Sequence, residues 1–520
     1  MVDLKGKPFY LNDEDILWIE KTIEGMTIEE KIGQLFINLF ADFDPDYVKH
    51  IVETYHIGGA RYMGAPSDKV YELTSNLQRY SKIPMLVAAN CDSGGNGACS
   101  DGTLVATAAQ VEATGSEEVA YNVGYVSGRE ATAIGCNWNF DPCADILFNW
   151  RNTIVNTRAY GNKPEPVIKY TTAYMKGLRQ SNIASCVKHF PGDGTEERDQ
   201  HLVLGVNELS CEEWDASFGK VYQNAIDEGV MSIMMGHIAL PEYQKRLVPG
   251  IQYEEILPAS LAPELIQDLL REQLGFNGLI LTDASHMLGM TAAMRRKDYV
   301  PAAIAAGCDM FLFFNDHEED FGFMLDGYKN GIITEERLHE ALQRVLGLKA
   351  ALKLHIKKEK GALIPSREGL KIIGCSEHQA MADEAADLGI TLVKNTLDQL
   401  PIRPETHPRI KLYTLYGEMG GVLGATTASE KTIIEELERV GFEVTLNDGT
   451  TREKGKTLEY VKNWDAALVF ADVQGYASEN NVRIRWKCPM SNEILSPYLY
   501  VIRRGDFVLS ALDILAWCNA

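Results

Sequence analysis

The sequence predicts an α/β protein in which a (β/α)8 TIM barrel is followed by a smaller α/β sandwich domain. Eight apolar, strand-like runs recur between residues 34 and 314, and a helix-like stretch or a long loop follows each of them. Polar side chains stand at the carboxyl ends of these runs, where a barrel of this kind keeps its chemistry. The alternating pattern restarts after a basic, irregular stretch, which indicates a second domain.

The elements of the barrel follow in order from a capping box, TIEE, at residues 27–30. The predicted strands are 34–40, 58–63, 85–90, 137–141, 184–190, 232–238, 278–284 and 309–314. The predicted helices between them include 117–134, 166–180, 211–228 and 262–274. A last barrel helix is predicted from Thr334, as N-cap, to Leu354. A doubly wound sheet is the alternative, but eight regular units favour closure into a barrel.

The domain boundaries come from changes in this pattern. We predict a catalytic barrel over residues 1–353, a basic linker over 354–375 and a second domain over 376–520. In the second domain the predicted strands are ITLVKN, RIKLYTLYG, FEVTLN and AALVFADV, with the helix EKTIIEELERVG among them. After about Asn492 the strand and turn patterns are hard to recognise, which suggests a domain that is truncated or altered at its end.

The composition excludes several classes of partner. With 73 acidic and 50 basic residues, a net charge of −23 argues against nucleic acid and anionic membrane surfaces. The first residues lack the apolar core of a signal peptide, and no apolar run approaches the roughly 20 residues of a membrane span. The ten cysteines form no C-x-x-C pair, so we predict no metal or cofactor and a reducing, cytoplasmic setting. The sequence does not indicate the oligomeric state.

The segment KHFPGDGTEERDQH, residues 188–201, is the most informative stretch of the chain. It continues a buried, strand-like run, and its proline and glycines indicate a loop at the carboxyl end of that strand. The pair Asp199 and His201 suits proton transfer, because a carboxylate can fix the tautomer of the imidazole and favour its cation. The alternative is a structural salt bridge in a polar surface loop.

The whole string K-H-F-P-G-x-G-x4-D-x-H resembles the signature of the β-N-acetylglucosaminidase branch of glycoside hydrolase family 3. The resemblance implies that His201 is the general acid/base and that Asp199 is its partner. It also implies that Lys188 and His189 contact the sugar. Asp193 departs from the pattern, because the family more often has histidine or arginine there.

The segment GFNGLILTDASHM, residues 275–287, resembles the nucleophile segment of the same family and implies that Asp283 is the nucleophile. A carboxylate at the tip of a buried barrel strand can attack an anomeric carbon, which agrees with that role. The alternative is that Asp283 caps the helix that follows it.

Further sugar contacts are implied by shorter matches. Arg158, in NTRAYG, and His237, in MMGHIALP, match an arginine and a histidine of the family. The stretch IPMLVAANCDSGG resembles a segment in which an aspartate binds the sugar, but Asn90 stands at that position. Either Asn90 or Asp92 could take the role, and we favour Asp92.

These matches predict a retaining exo-β-N-acetylglucosaminidase that acts on small glycosides. One alternative is a phosphorylase that releases the sugar 1-phosphate, because a histidine that has given up its proton is neutral and tolerates phosphate where a glutamate would repel it. A second is a β-glucosidase of the same family, which would take its acid/base from the second domain. A third is a non-catalytic, carbohydrate-binding relic.

Overall fold

Eight parallel strands close into a barrel in the computed structural model, which describes residues 2–395, 398–417, 430–447, 462–472, 481–485 and 501–503. Each strand pairs with its neighbours in the chain, and β8 closes the sheet by pairing with β1, where Ile37 lies opposite Leu312. The barrel strands β1 to β8 are Phe36–Phe40, Gly59–Tyr62, Leu86–Ala89, Trp138–Asn139, Ala184–Phe190, Ser232–Met235, Leu279–Ala284 and Met310–Leu312. The predicted barrel and the predicted position of every strand are confirmed.

The strands are buried on both faces, as expected of a parallel sheet covered by helices. All seven residues of β5 are buried, including Lys188 and His189 at its carboxyl end. These strands can therefore be recognised in the sequence as apolar runs without polar alternation. The buried polar residues at the ends of the strands are exceptions to this pattern and have a role other than packing.

The helices begin where the sequence places their caps. Thr27 and Glu30 form the predicted capping box, and Thr334 accepts a hydrogen bond from the backbone N–H of Arg337. The α-helices are Asp13–Gly25, Ile28–Gly33, Pro45–Tyr55, Ser67–Tyr80, Ala108–Thr114, Glu117–Ala133, Pro164–Arg179, Cys211–Trp214, Lys220–Asp227, Pro241–Leu247, Leu288–Thr291, Arg296–Ala306, His317–Lys329, Glu335–Ala351, Leu354–Glu359, Ser376–Gly389 and Glu430–Arg439. The π-helices are Asp215–Gly219 and Glu264–Gln273, and the 3-10 helices are Gly95–Gly97, Asn156–Arg158, Tyr253–Glu255, Ala259–Leu261 and Arg367–Ile372. None of the helices in the described ranges is both long and apolar enough to cross a membrane.

The chain divides into two compact units, residues 1–196 with 200–390 and residues 197–199 with 391–520. The predicted start of the second domain at residue 376 therefore falls inside the first unit. The reason is a buried contact, in which His378 Nδ1 lies 2.7 Å from Glu130 Oε1 and fixes the helix Ser376–Gly389 on the helix Glu117–Ala133.

The second unit is a small sheet built around β9. In this sheet β9 to β13 are Arg409–Gly417, Glu443–Leu446, Ala466–Asp472, Asn481–Arg485 and Val501–Arg503. β9 pairs in parallel with β10 and β11 and antiparallel with β12, which pairs with β13. Residues 390–395, predicted as a strand, form none, and the side chains of Ile390, Leu392 and Val393 are exposed. Of the altered end predicted after Asn492, only Val501–Arg503 lies within the described residues.

Charged groups are also buried at the amino-terminal end of the barrel, where Asp309 precedes β8. Its carboxylate lies 2.9 Å from Arg271 Nη2 and 3.3 Å from Arg344 Nη1, and Arg337 contacts it as well. The backbone N–H of Ile280 donates a further hydrogen bond to it. This carboxylate is saturated by partners from the chain and holds the helix Glu335–Ala351 against β7 and β8, which is a structural role.

Lys349 is a buried amine whose nearest partner is neutral, and it generates a prediction about stability. Its Nζ lies 2.6 Å from Gln34 Oε1, and burial, with a smaller contribution from Lys358, lowers its pKa from 10.5 to about 7. The unfolded chain therefore binds a proton that the folded protein lacks between pH 7 and 10.5. Stability should rise with pH across that window, by about 2 kcal/mol between pH 7 and 9.

The Lys349→Met variant should lose this contribution, because methionine occupies a similar volume without a titrating group. The free energy of unfolding, measured by urea denaturation at pH 7 and 9, should rise less with pH in the variant than in the wild type. Equal pH dependence in the two proteins would contradict the assignment.

Candidate active site

Closure of the barrel gathers the predicted polar residues at the carboxyl ends of its strands. Asn90 directly follows β3, Lys188 and His189 lie near the carboxyl end of β5, and Asp283 is the second-last residue of β7. Asp141 and Asp92 lie in the loops that follow β4 and β3, and His237 follows β6. All these residues therefore lie around one end of the barrel, which is the end that carries active sites in this architecture.

A network of buried charges forms the floor of this site. Lys188 Nζ lies 2.8 Å from Asp141 Oδ1 and 3.3 Å from Asp92 Oδ1, and Arg158 Nε lies 3.4 Å from Asp92 Oδ2. The side chains of Lys188 and Asp141 are 2% and 0% exposed, so neither charge is hydrated and each depends on the other. The structure thus brings together Lys188, Arg158 and Asp92, all predicted from the sequence, with Asp141.

The two carboxylates of this network titrate in opposite directions. Burial raises the pKa of Asp92, but Lys188 and Arg158 outweigh burial and hold the pKa well below its usual range. Burial and the neighbouring Asp92 charge raise the pKa of Asp141 well above its usual range, although Lys188 opposes them. Asp92 is therefore the ionised partner of the two cations, and Asp141 is the group that takes up a proton first.

Several oxygens of the site lack a hydrogen-bond donor in a suitable direction. They are the buried atoms Asn90 Oδ1, Asp92 Oδ1, Asp141 Oδ1 and Asp141 Oδ2. A buried acceptor without a donor costs free energy, so such atoms are usually satisfied by a ligand or by water. The hydroxyl groups of a sugar are donors of the required kind.

A second network orients His189 toward Asp283. His189 Nδ1 donates a hydrogen bond of 2.7 Å to Asp145 Oδ2, and His189 Nε2 lies 3.9 Å from Asp283 Oδ2. Asp145 also accepts hydrogen bonds from the backbone N–H of Asp193 and from Cys143 Sγ. Sequence reasoning missed Asp145, although it stands in the same loop after β4 as Asp141.

Asp283 is held as a carboxylate. Burial raises its pKa, but His189, His201 and the hydrogen bond from the Ala284 backbone N–H together outweigh burial, so the pKa lies below the usual value of 3.8. The Ala284 N–H donates to Asp283 Oδ1 over 2.7 Å. The next helix, Leu288–Thr291, has Met287 as its N-cap, so Asp283 does not cap it. A partly exposed, ionised carboxylate at a strand tip can act as a nucleophile.

His237 uses both ring nitrogens within the protein. Its Nε2 donates to the carbonyl oxygen of Ala284 over 3.0 Å, so Nδ1 is the acceptor of the Ser260 hydroxyl at 2.8 Å. Burial lowers the pKa of His237, which agrees with a neutral ring. The ring therefore supports the end of β7 beside Asp283, and a contact with substrate remains a prediction for this residue.

His201 and Asp199 lie in the loop after β5. The backbone carbonyl oxygen of His201 accepts a hydrogen bond of 3.0 Å from the Leu288 N–H, which ties it to the loop after β7. The charge of His201 acts on the pKa values of both Asp283 and His286, lowering each. Asp199 is buried. His286 was missed by sequence reasoning, and its only signal is its place three residues after Asp283.

Two groups in the described part of the chain have the donor types of a metal site. The ligand atoms of Cys143, Asp145 and His189 lie within 4.8 Å of one another, as do those of Cys375, Glu377 and His378. In the first group Asp145 already accepts hydrogen bonds from the other two side chains. In the second, His378 is directed at Glu130. Both groups thus have structural partners within the protein.

The Lys188→Met variant tests the charge network, because it leaves Asp92 and Asp141 buried side by side without their shared cation. The free energy of unfolding at pH 7 should fall by about 3–5 kcal/mol. The folded-state pKa values of the two carboxylates should then be raised, so the deficit should shrink as the pH is lowered and they take up a proton.

Lys371→Met is the matched control, because Lys371 pairs with Glu368 on the surface, where the two side chains are 78% and 77% exposed, and its loss should change stability by less than about 0.5 kcal/mol. A Lys188→Met protein as stable as this control would show that the network carries little energy.

Known proteins resemble this chain in sequence and in structure. Residues 27–348 match the glycosyl hydrolase family 3 N-terminal domain. The β-N-acetylglucosaminidase/β-glucosidase of Cellulomonas fimi is 38% identical over 498 residues, which are 95% of this chain and 88% of that protein. The β-glucoside phosphorylase BglX bound to 2FGlc superposes with a TM-score of 0.87 at 36% identity, covering 94% of this chain and 88% of that one.

A family 3 β-N-acetylglucosaminidase from Paenibacillus sp. str. FPU-7 shares the fold, with a TM-score of 0.74 at 24% identity over 86% of this chain and 85% of that one. The resemblance stated for residues 188–201 and 275–287 is therefore confirmed at the level of the family. The chain belongs to glycosyl hydrolase family 3 and is a glycosidase.

Proposed function

We propose that this glycosidase removes a terminal β-linked N-acetylglucosamine with retention of configuration, through a covalent intermediate on Asp283. The observation that carries the proposal is the state of Asp283, which histidines keep ionised at the tip of a buried strand, with His189 Nε2 3.9 Å from its Oδ2. A carboxylate in this state is a nucleophile without further activation.

In the first step Asp283 Oδ attacks the anomeric carbon while the bond to the leaving oxygen breaks. His201, as the imidazolium, gives its proton to that oxygen and becomes neutral. Asp199 orients His201 and stabilises its cationic form. In the second step the neutral His201 takes a proton from the acceptor, whose oxygen displaces Asp283 from the anomeric carbon.

The charge network holds the sugar in this account. The unsatisfied oxygens of Asn90, Asp92 and Asp141 accept hydrogen bonds from sugar hydroxyls, and Lys188 and Arg158 donate to sugar oxygens. The substituent on C2 of the sugar distinguishes the two candidate glycones, since the Cellulomonas fimi relative is named for both N-acetylglucosaminides and glucosides. A glucoside is therefore the first alternative glycone to compare.

The Asp283→Asn variant should lose about 10³-fold or more of kcat/KM on an aryl β-N-acetylglucosaminide, because the amide cannot form the glycosyl ester. The control is Asp298→Asn, which changes an exposed carboxylate in the helix Arg296–Ala306 and should leave kcat/KM unchanged. A wild-type protein that binds the glycoside but does not turn it over would instead support the binding relic.

Phosphorolysis is the second candidate function, and the similarity to the β-glucoside phosphorylase favours it. After the first step His201 is neutral, and His286 is a second histidine beside Asp283. A phosphate dianion approaching the intermediate therefore meets imidazoles at this point, where a carboxylate acid/base would repel it.

Turnover of aryl β-N-acetylglucosaminide and β-glucoside, measured with and without phosphate, distinguishes the two acceptors. Hydrolysis predicts the free sugar at a rate that phosphate does not change. Phosphorolysis with retention predicts the β-linked sugar 1-phosphate and a rate that rises with phosphate. We expect the retained anomer in either case, and an inverted product would contradict the proposed intermediate.

The setting proposed for the protein is a reducing, cytoplasmic one. Eight cysteines in the described ranges are free thiols, and seven of them are buried. This supports the proposal, since disulfides are the usual cross-links of oxidising compartments.

A further inference from the structure

Gln200, the residue between Asp199 and His201, joins three loops of the active face through both polar groups of its side chain and through its backbone carbonyl oxygen. Its Oε1 accepts a hydrogen bond of 2.7 Å from the His237 N–H, and its Nε2 donates to Asp193 Oδ2 over 3.4 Å. The backbone carbonyl oxygen of Gln200 accepts a hydrogen bond of 3.0 Å from the Gly289 N–H. Gln200 therefore connects the loop after β5 with those after β6 and β7.

Asp193 is the other end of this connection, and its charge is directed into the protein. Its Oδ1 accepts hydrogen bonds from Asn152 Nδ2, at 2.9 Å, and from the Gly194 N–H, at 2.6 Å. Its own N–H donates to Asp145 Oδ1 over 2.8 Å, and Asp145 orients His189. The departure from the family pattern at this position thus has an internal partner.

The backbone at Gly289 and Gly236 lies so close to Gln200 that it fixes the position of Gln200. A Cβ added to Gly289 would lie 2.8 Å from the Gln200 carbonyl oxygen, and one added to Gly236 would lie 3.3 Å from Gln200 Oε1. Because the hydrogen bond between Asp193 and Gln200 joins the two ends of segment 194–199, it sets where the loop returns and where His201 follows.

We propose that Asp193 and Gln200 are a matched pair that positions His201, the proposed acid/base, relative to Asp283. The pair requires a definite polarity. Residue 193 must accept from Asn152, Gly194 and residue 200, while residue 200 must donate to residue 193 and accept from His237. An aspartate at 193 with an amide at 200 meets these requirements. The proposal rests on the proposed function, because it assigns His201 the proton transfer.

Exchanging the two groups gives a sharp test. Asp193→Asn sets a donor against a donor, and Gln200→Glu sets a carboxylate against a carboxylate. In the double variant Asp193→Asn/Gln200→Glu, the amide at 193 donates to the carboxylate at 200, which still accepts from His237. Its net charge equals that of the wild type. The exchange reverses donor and acceptor only in the hydrogen bond between residues 193 and 200, and it leaves the bonds from Asn152, Gly194 and His237 in their original direction.

The readout is kcat/KM for two aryl glycosides, because this constant reports the first step. A phenyl leaving group needs a proton from His201, whereas a 2,4-dinitrophenyl group leaves without one. Each single variant should lose about 10- to 100-fold on the phenyl glycoside and less than about 3-fold on the dinitrophenyl glycoside. The double variant should return to within about 3-fold of the wild type on both.

His201→Ala is the reference, with a selective loss of about 10²- to 10⁴-fold on the phenyl glycoside. Equal loss on both glycosides in the single variants, or no recovery in the double variant, would overturn the pairing. If a single variant does not fold, the double variant alone decides. A selective loss on the phenyl glycoside like that of His201→Ala would overturn the proposal, whereas wild-type activity on both glycosides would support it. If His201→Ala is not selective, the proposed function fails instead.

Discussion

The ion pair between Lys188 and Asp141 is the interaction on which the active face depends. A lysine without water around it keeps its charge only beside a carboxylate, and here Asp141 and Asp92 reach it from the loops after β4 and β3. These three residues are far apart in the chain and adjacent only because parallel strands close in order. The barrel therefore has to close before any of these charges is paired, so the site forms only when the fold is complete.

Buried charges are compensated to different degrees at the two ends of the barrel. At the amino-terminal end, Asp309 is surrounded by Arg271, Arg337 and Arg344 and receives a backbone N–H, so nothing is left to bind. At the carboxyl end, oxygens of Asn90, Asp92 and Asp141 have no hydrogen bond of good geometry, although Lys188 forms ion pairs with both carboxylates. Unsatisfied groups of this kind lower stability, and a ligand that supplies hydroxyl donors recovers that free energy on binding. Buried charge is fully compensated at one end of the barrel and, under the proposed function, the other end receives the substrate.

Much of this could be predicted from the sequence, because strands buried on both faces are continuous apolar runs and their polar ends are conspicuous. The eight strands and the caps at Thr27 and Thr334 followed from such local signals, whereas Arg158 and Asp92 were singled out, with Lys188, by the resemblance to family 3. Asp145 and Gln200 did not, because their roles are hydrogen bonds to Asp193, His189 and His237 that only the folded loops create. The packing of the helix Ser376–Gly389 on the helix Glu117–Ala133 has the same character, since it depends on the contact of His378 with Glu130.

Trapping the covalent sugar intermediate on Asp283 is the decisive experiment. The protein would be inactivated with a 5-fluoro-N-acetylglucosaminyl fluoride, which keeps the acetamido group on C2, then digested, and its peptides analysed by mass spectrometry. One fluoroglycosyl group is expected on the peptide that contains Asp283, with the label on that carboxylate. A label on another residue, or continued turnover with no labelled peptide, would contradict it.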